Sequence, residues 1–517
     1  LDIPKKRRPG KQAAALRQLA KLFPHCVQER YDPQGRLCPA ADWQALAETL
    51  GGAELERYQL NWPGKAAAQA LADSVPNAAF APSACPDLTS HSFIEGDNLE
   101  AMKLLQPSHA ERLKLVYIDP PYNTGKTFAY SDNYRASPGQ YPDSDAAAQH
   151  SPWLSMMLPR LILAHRLLRP DGAIVIHIDE HEHANLEKLL GEVFGEHNHL
   201  GTLVWDKRNP KGDARGVAQQ HELICLYAKD KARLLKAGGL KRPKPHAEAM
   251  RAKVAALVRR HGGVNEPVRK AFRQWLEAQP FSQGAKAYRF IDDEGEIYRP
   301  VSMAWPNKKV PPEAYFRPLR HPGTDQPCPV PKRGWRNPPA TMARLQAQGE
   351  ILFGEDHRTQ PTRKYRLCDH MLENLPSVIY HAGSDDALLA QLGIPFDTPK
   401  VVAISRMLIA ALCGPGDIVL DCFAGSGTTG HAVLEHNRAT GDGLVFVLVE
   451  LPVPLPEDSV AAKAGFTTVA QLGLTRLQRV LQPGEQMGHV RLVAKTKRHK
   501  KTRAKGSGSN RGSEQGS

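Results

Sequence analysis

From Leu115 to Gly125 the chain reads LVYIDPPYNTG, an apolar run that stops on Asp119, Pro120, Pro121 and Tyr122. These residue types suit one difficult reaction, substitution at the exocyclic amine of a nucleobase. The lone pair of such an amine is delocalised into the ring, so a catalyst must draw it out of conjugation and aim it. The Asp119 carboxylate and the Pro120 carbonyl can each accept one N–H, and Pro121 helps to hold that carbonyl outward because proline fixes φ. Tyr122 offers a flat face to a base that has lost its stacking in a duplex. Taken alone, four such residues are equally well a strand-ending turn, which Asp and Pro both favour.

A second constellation separates the two readings. Ile418 to Gly430 reads IVLDCFAGSGTTG: a strand, an acidic residue, then a Gly-rich turn leading into a helix. Gly425 and Gly427 let the backbone approach a ligand closely, and Asp421 at the strand end can hold an ammonium or a hydroxyl. With Gly430 they would equally serve a dinucleotide turn, so a nicotinamide oxidoreductase is a rival. That rival leaves Asp119 to Tyr122 without a purpose. No Lys follows the glycines, which argues against a P-loop. Glu450 ends the next apolar run, where an acidic side chain would bind the ribose hydroxyls of either cofactor.

The elements that must position these residues follow the rhythm of a parallel α/β sheet, with short apolar runs ended by Gly or Asp and separated by helices. Strands are predicted at His91 to Ile94, Leu113 to Ile118, Ala173 to Ile178, Thr202 to Trp205, Leu223 to Tyr227, Ile418 to Leu420 and Leu444 to Val449. Helices are predicted at Leu99 to Leu105, Trp153 to Leu168, His183 to Phe194 and Val401 to Leu412. Between the two motifs the rhythm breaks into basic helices, turns and scattered aromatics such as Tyr288, Tyr298, Trp305 and Trp335, more often core than base-stacking platforms. The division is then 1–88, a helical region and linker; 89–230, the half carrying Asp119; 231–395, an insert; 396–484, the half carrying Asp421; and 485–517, a basic tail expected to be disordered.

Lys plus Arg number 68 against 54 Asp plus Glu, a net charge of +14, which favours a polyanionic partner. The eight cysteines form no CxxC pair, which fits a reducing cytosol. No run approaches the roughly 20 apolar residues of a membrane span, so a cytoplasmic protein without a membrane partner is expected. His177, His181, His183, His197 and His199 crowd one span, but their spacing is not that of known metal ligands, and no metal site is predicted.

DPPY placed upstream of a DxFAGSGTT turn resembles the DNA amino-methyltransferases of the permuted β group. Phe93 to Leu105, Phe396 to Lys400, Gly334 to Arg336, Gly349 to Phe353 and Gly465 to Arg479 extend the resemblance to the modification subunits of type III restriction-modification systems. It implies a Rossmann-like, S-adenosylmethionine-dependent methyltransferase sheet of circularly permuted order, with an inserted target-recognition domain; the helical spacing of apolar residues from Gln12 to Leu60 separately predicts a small N-terminal helical unit. The resemblance also implies roles. Asp119, Pro120 and Tyr122 would bind the target base, with Pro121 shaping the turn. Phe423, Ala424, Gly425, Ser426 and Gly427 would wrap the methionine moiety, Asp421 and Thr428 would hold its polar groups, and Glu450 the ribose. Asp97 and Asn98 would sit near the cofactor adenine, and Lys400 would close the pocket.

The expected function is transfer of a methyl group from S-adenosylmethionine to N6 of a flipped adenine in double-stranded DNA. The expected partners are a second copy of the chain, as a homodimer, and a helicase-nuclease restriction subunit. An N4-cytosine enzyme is the nearest alternative, since both amines need the same acceptors; Asp rather than Ser at the head of the motif leans toward adenine by resemblance. RNA or a protein amide suits the long insert and the basic charge less well. A catalytically silent DNA-binding subunit is the alternative from another class, and the two intact motifs argue against it.

Overall fold

The computed structural model describes residues 11–31, 37–43, 46, 49, 59–81, 85–125, 145–208 and 216–495. Two units divide between Asn61 and Trp62. The smaller has a helix, Lys11–Leu22, and an antiparallel hairpin of Val27–Tyr31 with Leu37–Ala41. The hairpin corrects the expectation of an all-helical region. Its strands are five residues long, too short for apolar spacing to distinguish the two periods.

The larger unit is built on one sheet. Its strands are β1 (Ala78–Ala81), β2 (His91–Glu95), β3 (Leu113–Ile118), β4 (Leu168–Ile178), β5 (His199–Asp206), β6 (His221–Ala228), β7 (Val378–Tyr380), β8 (Ile418–Asp421), β9 (Val445–Glu450) and β10 (Met487–Ala494). They lie in the order β7-β5-β6-β4-β3-β8-β9-β2-β10-β1. From β4 through β10 every pair is parallel. Toward both edges antiparallel pairs appear, β6 against β4 and β5, and β10 against β1. Strands β3 (LKLVYI) and β9 (VFVLVE) are nearly unbroken apolar runs because helices cover both faces of the central sheet.

Alternate side chains serve the two faces. Leu115, Tyr117, Ala173 and Val175 share one core with α4 (Val402–Leu412) and α5 (Thr428–Thr440). Val116, Ile118, Ile174 and Ile176 are equally buried and face the other way. A second helical layer is formed by α1 (Asn98–His109), α2 (Asp145–Leu167) and α3 (His183–Leu190), with α1 and α3 each packed against α2. The last long helix, α6 (Val469–Val480), lies against α5 and β9.

The sheet order brings the two sequence halves together. Leu115 of β3 pairs with Val419 of β8, so the apolar runs preceding Asp119 and Asp421 are neighbours although the whole insert separates them in the chain. Both motifs emerge at the carboxyl ends of parallel strands, where open α/β sheets bind ligands.

Three boundaries differ from the sequence reading. The expected linker from Asp73 to Ser90 contains β1, which pairs with β10. The expected tail forms β10 itself through Ala494, and residues 496–517 lie outside the described residues. Strand β10 was missed because its residues are at most half buried and its apolar side chains are spaced among polar neighbours such as His489 and Arg491. The insert is narrower than 231–395: Leu234 belongs to the main core, and β7 returns to pair with β5. What lies between has cores of its own. One joins helices Ala247–His261 and Glu266–Glu277 to Tyr288 and Ile297, and the other gathers Met303, Trp335, Met342 and Ile351. Tyr288 and Trp335 are thus core, as expected. Among the described residues no helix is long and apolar enough to cross a membrane.

Candidate active site

A cavity of about 350 Å³ opens where β2, β3, β8 and β9 end, lined among others by Asp97, Asn98, Asp119, Pro121, Lys400 and Asp421. Phe423, Ala424, Gly425, Ser426, Thr428 and Glu450 also line it, whereas the expected Pro120, Tyr122 and Gly427 do not. Fold and sequence thus converge on one cleft.

Asp119 leaves β3 half exposed, and its Oδ1 accepts a hydrogen bond from the Tyr122 hydroxyl at 2.8 Å. The turn is held from behind by buried groups. Trp153 Nε1, from α2, donates to the Pro121 carbonyl at 2.7 Å. Asn123, at φ 61° in the left-handed region that Asn tolerates, donates its amide to the Gln149 carbonyl and to Glu182 Oε1, at 2.9 and 2.6 Å. Glu182 is fully buried and also accepts from Asn185, with His150 Nδ1 2.8 Å away.

The Gly-rich turn is closed on itself. Asp421 accepts from the Phe423 amide at 2.9 Å and from the Thr429 hydroxyl at 2.6 Å; burial still pushes its pKa up to about 7. Glu450 Oε2 accepts from the Gly425 amide at 2.6 Å, and burial pushes its pKa up to about 8. Gly425 and Gly427 sit at φ 50° and 78°, which a side chain would strain. Beneath the turn lies Arg476, wholly buried, whose Nη1 reaches Ser426 Oγ at 2.8 Å and Thr428 Oγ1 at 3.0 Å. The Ser426 and Thr428 hydroxyls are therefore engaged from below while their residues line the cavity.

Two expected cofactor residues stitch the motifs together. Asn98 donates to the Cys422 carbonyl at 2.6 Å and accepts from Arg160 Nε at 2.6 Å. Asp97 caps α1 through the Glu100 amide, and its Oδ2 lies 3.6 Å from Arg160 Nη2. Lys400 reaches further than expected: its ammonium lies 3.3 Å from Asp119 Oδ1, 3.1 Å from Glu222 Oε2 and 4.8 Å over the Tyr122 ring.

Sequence reasoning missed Arg160, Glu182, Glu222, Gly473 and Arg476. Three had a signal: Gly473 and Arg476 fall within the stretch from Gly465 to Arg479, and Glu222 is a charge placed at the head of an apolar strand. The five histidines do not converge. His177 is buried beside the Tyr117 hydroxyl at 2.7 Å, His181 pairs with Asp179, and His199 stacks on Tyr227.

Over residues 113–451 the chain matches the family described as DNA methylase, N6_N4_Mtase. It is 32% identical to the type III restriction-modification enzyme EcoP15I Mod subunit of Escherichia coli, across 92% of this chain and 77% of that protein. Identity to the StyLTI Mod subunit of Salmonella typhimurium is 29%, across 90% of this chain and 71% of that one. The type II methyltransferase M.KpnI of Klebsiella pneumoniae is 28% identical across 76% and 88%. With the Asp119 turn and the Gly-rich turn opening into one cleft, and the family match spanning both, the chain belongs to the N6/N4 DNA methylase family and is a DNA methyltransferase.

Proposed function

We propose that this chain methylates N6 of adenine in duplex DNA, as the modification component of a type III restriction-modification system. The observation that carries the reading is the shared cleft: Asp119, bonded to the Tyr122 hydroxyl, stands on one side, and Asp421 and Glu450 on the other, at the ends of adjacent strands. The similarity to two type III Mod subunits over most of their length supports the system, and Asp at the head of the motif favours adenine over cytosine.

The residues fit S-adenosylmethionine. A cavity of about 350 Å³, the buried carboxyl of Asp421, the partly buried one of Glu450 and a turn open to close backbone approach make a site for a molecule that carries hydroxyls and an ammonium. Asp421 and Glu450 would hold those groups, and Phe423 to Gly427 would enclose the chain between them. When bound, the cofactor supplies an electrophilic methyl on a sulfonium. Displacement there needs alignment rather than a metal or a covalent nucleophile.

The protein's part is to prepare the amine. Asp119 accepts one N–H; Trp153 already occupies the Pro121 carbonyl, so the second N–H is assigned to the carbonyl of Pro120. Both bonds favour a pyramidal nitrogen whose lone pair points across the cleft. Tyr122 stacks on the flipped ring, and its bond to Asp119 fixes both groups together. The transferred methyl replaces one amine hydrogen, which leaves as a proton toward Asp119 and solvent.

The chain would act in the cytoplasm, as a homodimer associated with a helicase-nuclease restriction subunit. Incubation with radiolabelled S-adenosylmethionine and unmethylated genomic DNA, followed by nucleoside chromatography, tests the reading. Labelled N6-methyladenine is expected; labelled N4-methylcytosine would overturn the base, and absence of label in DNA would overturn the activity.

A further inference from the structure

Lys400 makes the two contacts that the proposed function gives to the target base. Its ammonium is 3.3 Å from Asp119 Oδ1 and 4.8 Å over the Tyr122 ring. The lysine and an incoming amine therefore compete for one acceptor and one aromatic face. A charge-assisted hydrogen bond is about twice as strong as one from a neutral donor, so the amine enters only if the ammonium has another partner.

Glu222 is that partner. It comes from β6, a strand that carries none of the motif residues, and its Oε2 lies 3.1 Å from Lys400 Nζ. Its Oε1 pairs with Lys207, whose own ammonium lies 4.8 Å from the centre of the Trp205 ring. The buried His177 faces Oε2 through Nδ1 at 3.9 Å. Burial alone would raise the Glu222 pKa, but Lys400, His177 and Lys207 outweigh it and hold the carboxyl well below its ordinary value. The group is thus a fixed negative charge whose surroundings are arranged to keep it so.

We infer that Glu222 is a positioning residue for base capture: Lys400 caps Asp119 and Tyr122 in the empty site, and Glu222 takes the ammonium when the target amine arrives. The inference rests on Asp119 and Tyr122 being the base-binding residues. Without Glu222 the lysine would have Asp119 as its main anionic partner and would hold it against the base.

The test uses the full chain and a duplex carrying 2-aminopurine beside the target adenine, whose fluorescence rises as that adenine leaves the stack. Glu222→Gln should weaken capture about tenfold, equivalent to roughly 1.4 kcal/mol, while cofactor affinity stays within about twofold of wild type. Glu222→Asp, which keeps the charge, should recover most of it. Lys400→Met should capture at least as well as wild type, and the double variant should behave like Lys400→Met. Wild-type capture by Glu222→Gln overturns the inference. So does a double variant as weak as Glu222→Gln, which would make Glu222 a support of the fold, or loss of capture in Lys400→Met, which would make the lysine a helper. Methylation by Asp119→Ala would instead overturn the reading of the site beneath it.

Discussion

Gly473 of α6 backs directly onto the Gly-rich turn: a Cβ at this position would lie 2.6 Å from the Gly425 carbonyl oxygen and 3.6 Å from the Gly427 amide nitrogen. Backbone cannot step aside as the end of a flexible side chain can. Gly473→Ala should therefore displace the Gly-rich turn at a cost of about 1–3 kcal/mol and weaken S-adenosylmethionine binding at least about tenfold. Calorimetric titration measures this; unchanged affinity would mean that the turn is not the cofactor's.

Arg476 supports the same turn from within. Its guanidinium satisfies the Ser426 carbonyl and hydroxyl and the Thr428 hydroxyl, all buried. Arg476→Leu leaves those oxygens without their donor and should destabilise the protein by about 1–3 kcal/mol. Thermal unfolding should show a lowered Tm. A Tm equal to that of wild type would mean that water or a neighbour replaces the arginine.

These two residues show what the sequence could and could not convey. Asp119, Tyr122, Asp421 and Gly425 could be named as candidates because the proposed chemistry calls for those types at those spacings, and each motif ends a strand with a strong apolar signature. Gly473, Arg476, Glu182 and Glu222 act on motifs from strands and helices distant in the chain, and one sequence does not say which elements are neighbours. Strand β10 was illegible for another reason. Its residues are mostly half exposed, so MGHVRLVA carries no buried run, and only pairing with β2 and β1 makes it a strand. The central sheet was legible because it is buried on both faces.

Cofactor binding should depend on pH through Asp421 and Glu450. Burial raises their pKa to about 7 and about 8, so at neutral pH a substantial fraction is protonated. The folded protein holds more protons here than the unfolded chain between the ordinary carboxyl range and about pH 8. These two groups therefore make the cofactor-free protein less stable as pH rises through that window. An ammonium held by Asp421 favours the ionised form. Affinity should then rise with pH through about 7, with proton release on binding at neutral pH. Titration in buffers of different ionisation enthalpy reads the release directly, and Asp421→Asn should abolish its Asp421 share. Affinity that falls across this range would contradict the assignment.

Asn123 joins the turn that carries Asp119 and Tyr122 to the buried Glu182, with 2.6 Å between Nδ2 and Oε1. Loss of that tether should loosen Tyr122 without touching the cofactor half of the cleft. Asn123→Ala is expected to lower kcat about tenfold with cofactor affinity unchanged, a loss of positioning. Single-turnover kinetics with saturating cofactor would isolate the step. An equal loss of cofactor affinity would show that the whole cleft had shifted instead.

Asp119→Ala separates chemistry from binding most sharply. The carboxylate contacts Tyr122 and Lys400 but none of the groups that close the Gly-rich turn, so its removal should spare the cofactor site. Methyl transfer should fall by at least about 100-fold, because the amine loses the acceptor that draws its lone pair out of the ring. Cofactor affinity should rise slightly if anything, since Asp119 also raises the pKa of Asp421 through like charge, and its loss eases ionisation there. Asp119→Asn should be nearly as inactive, because an amide oxygen accepts more weakly than a carboxylate. Filter binding of labelled cofactor beside transfer assays on the same preparations makes the comparison. If affinity and turnover fell together, Asp119 would belong to the cofactor site and the division of the cleft would be wrong.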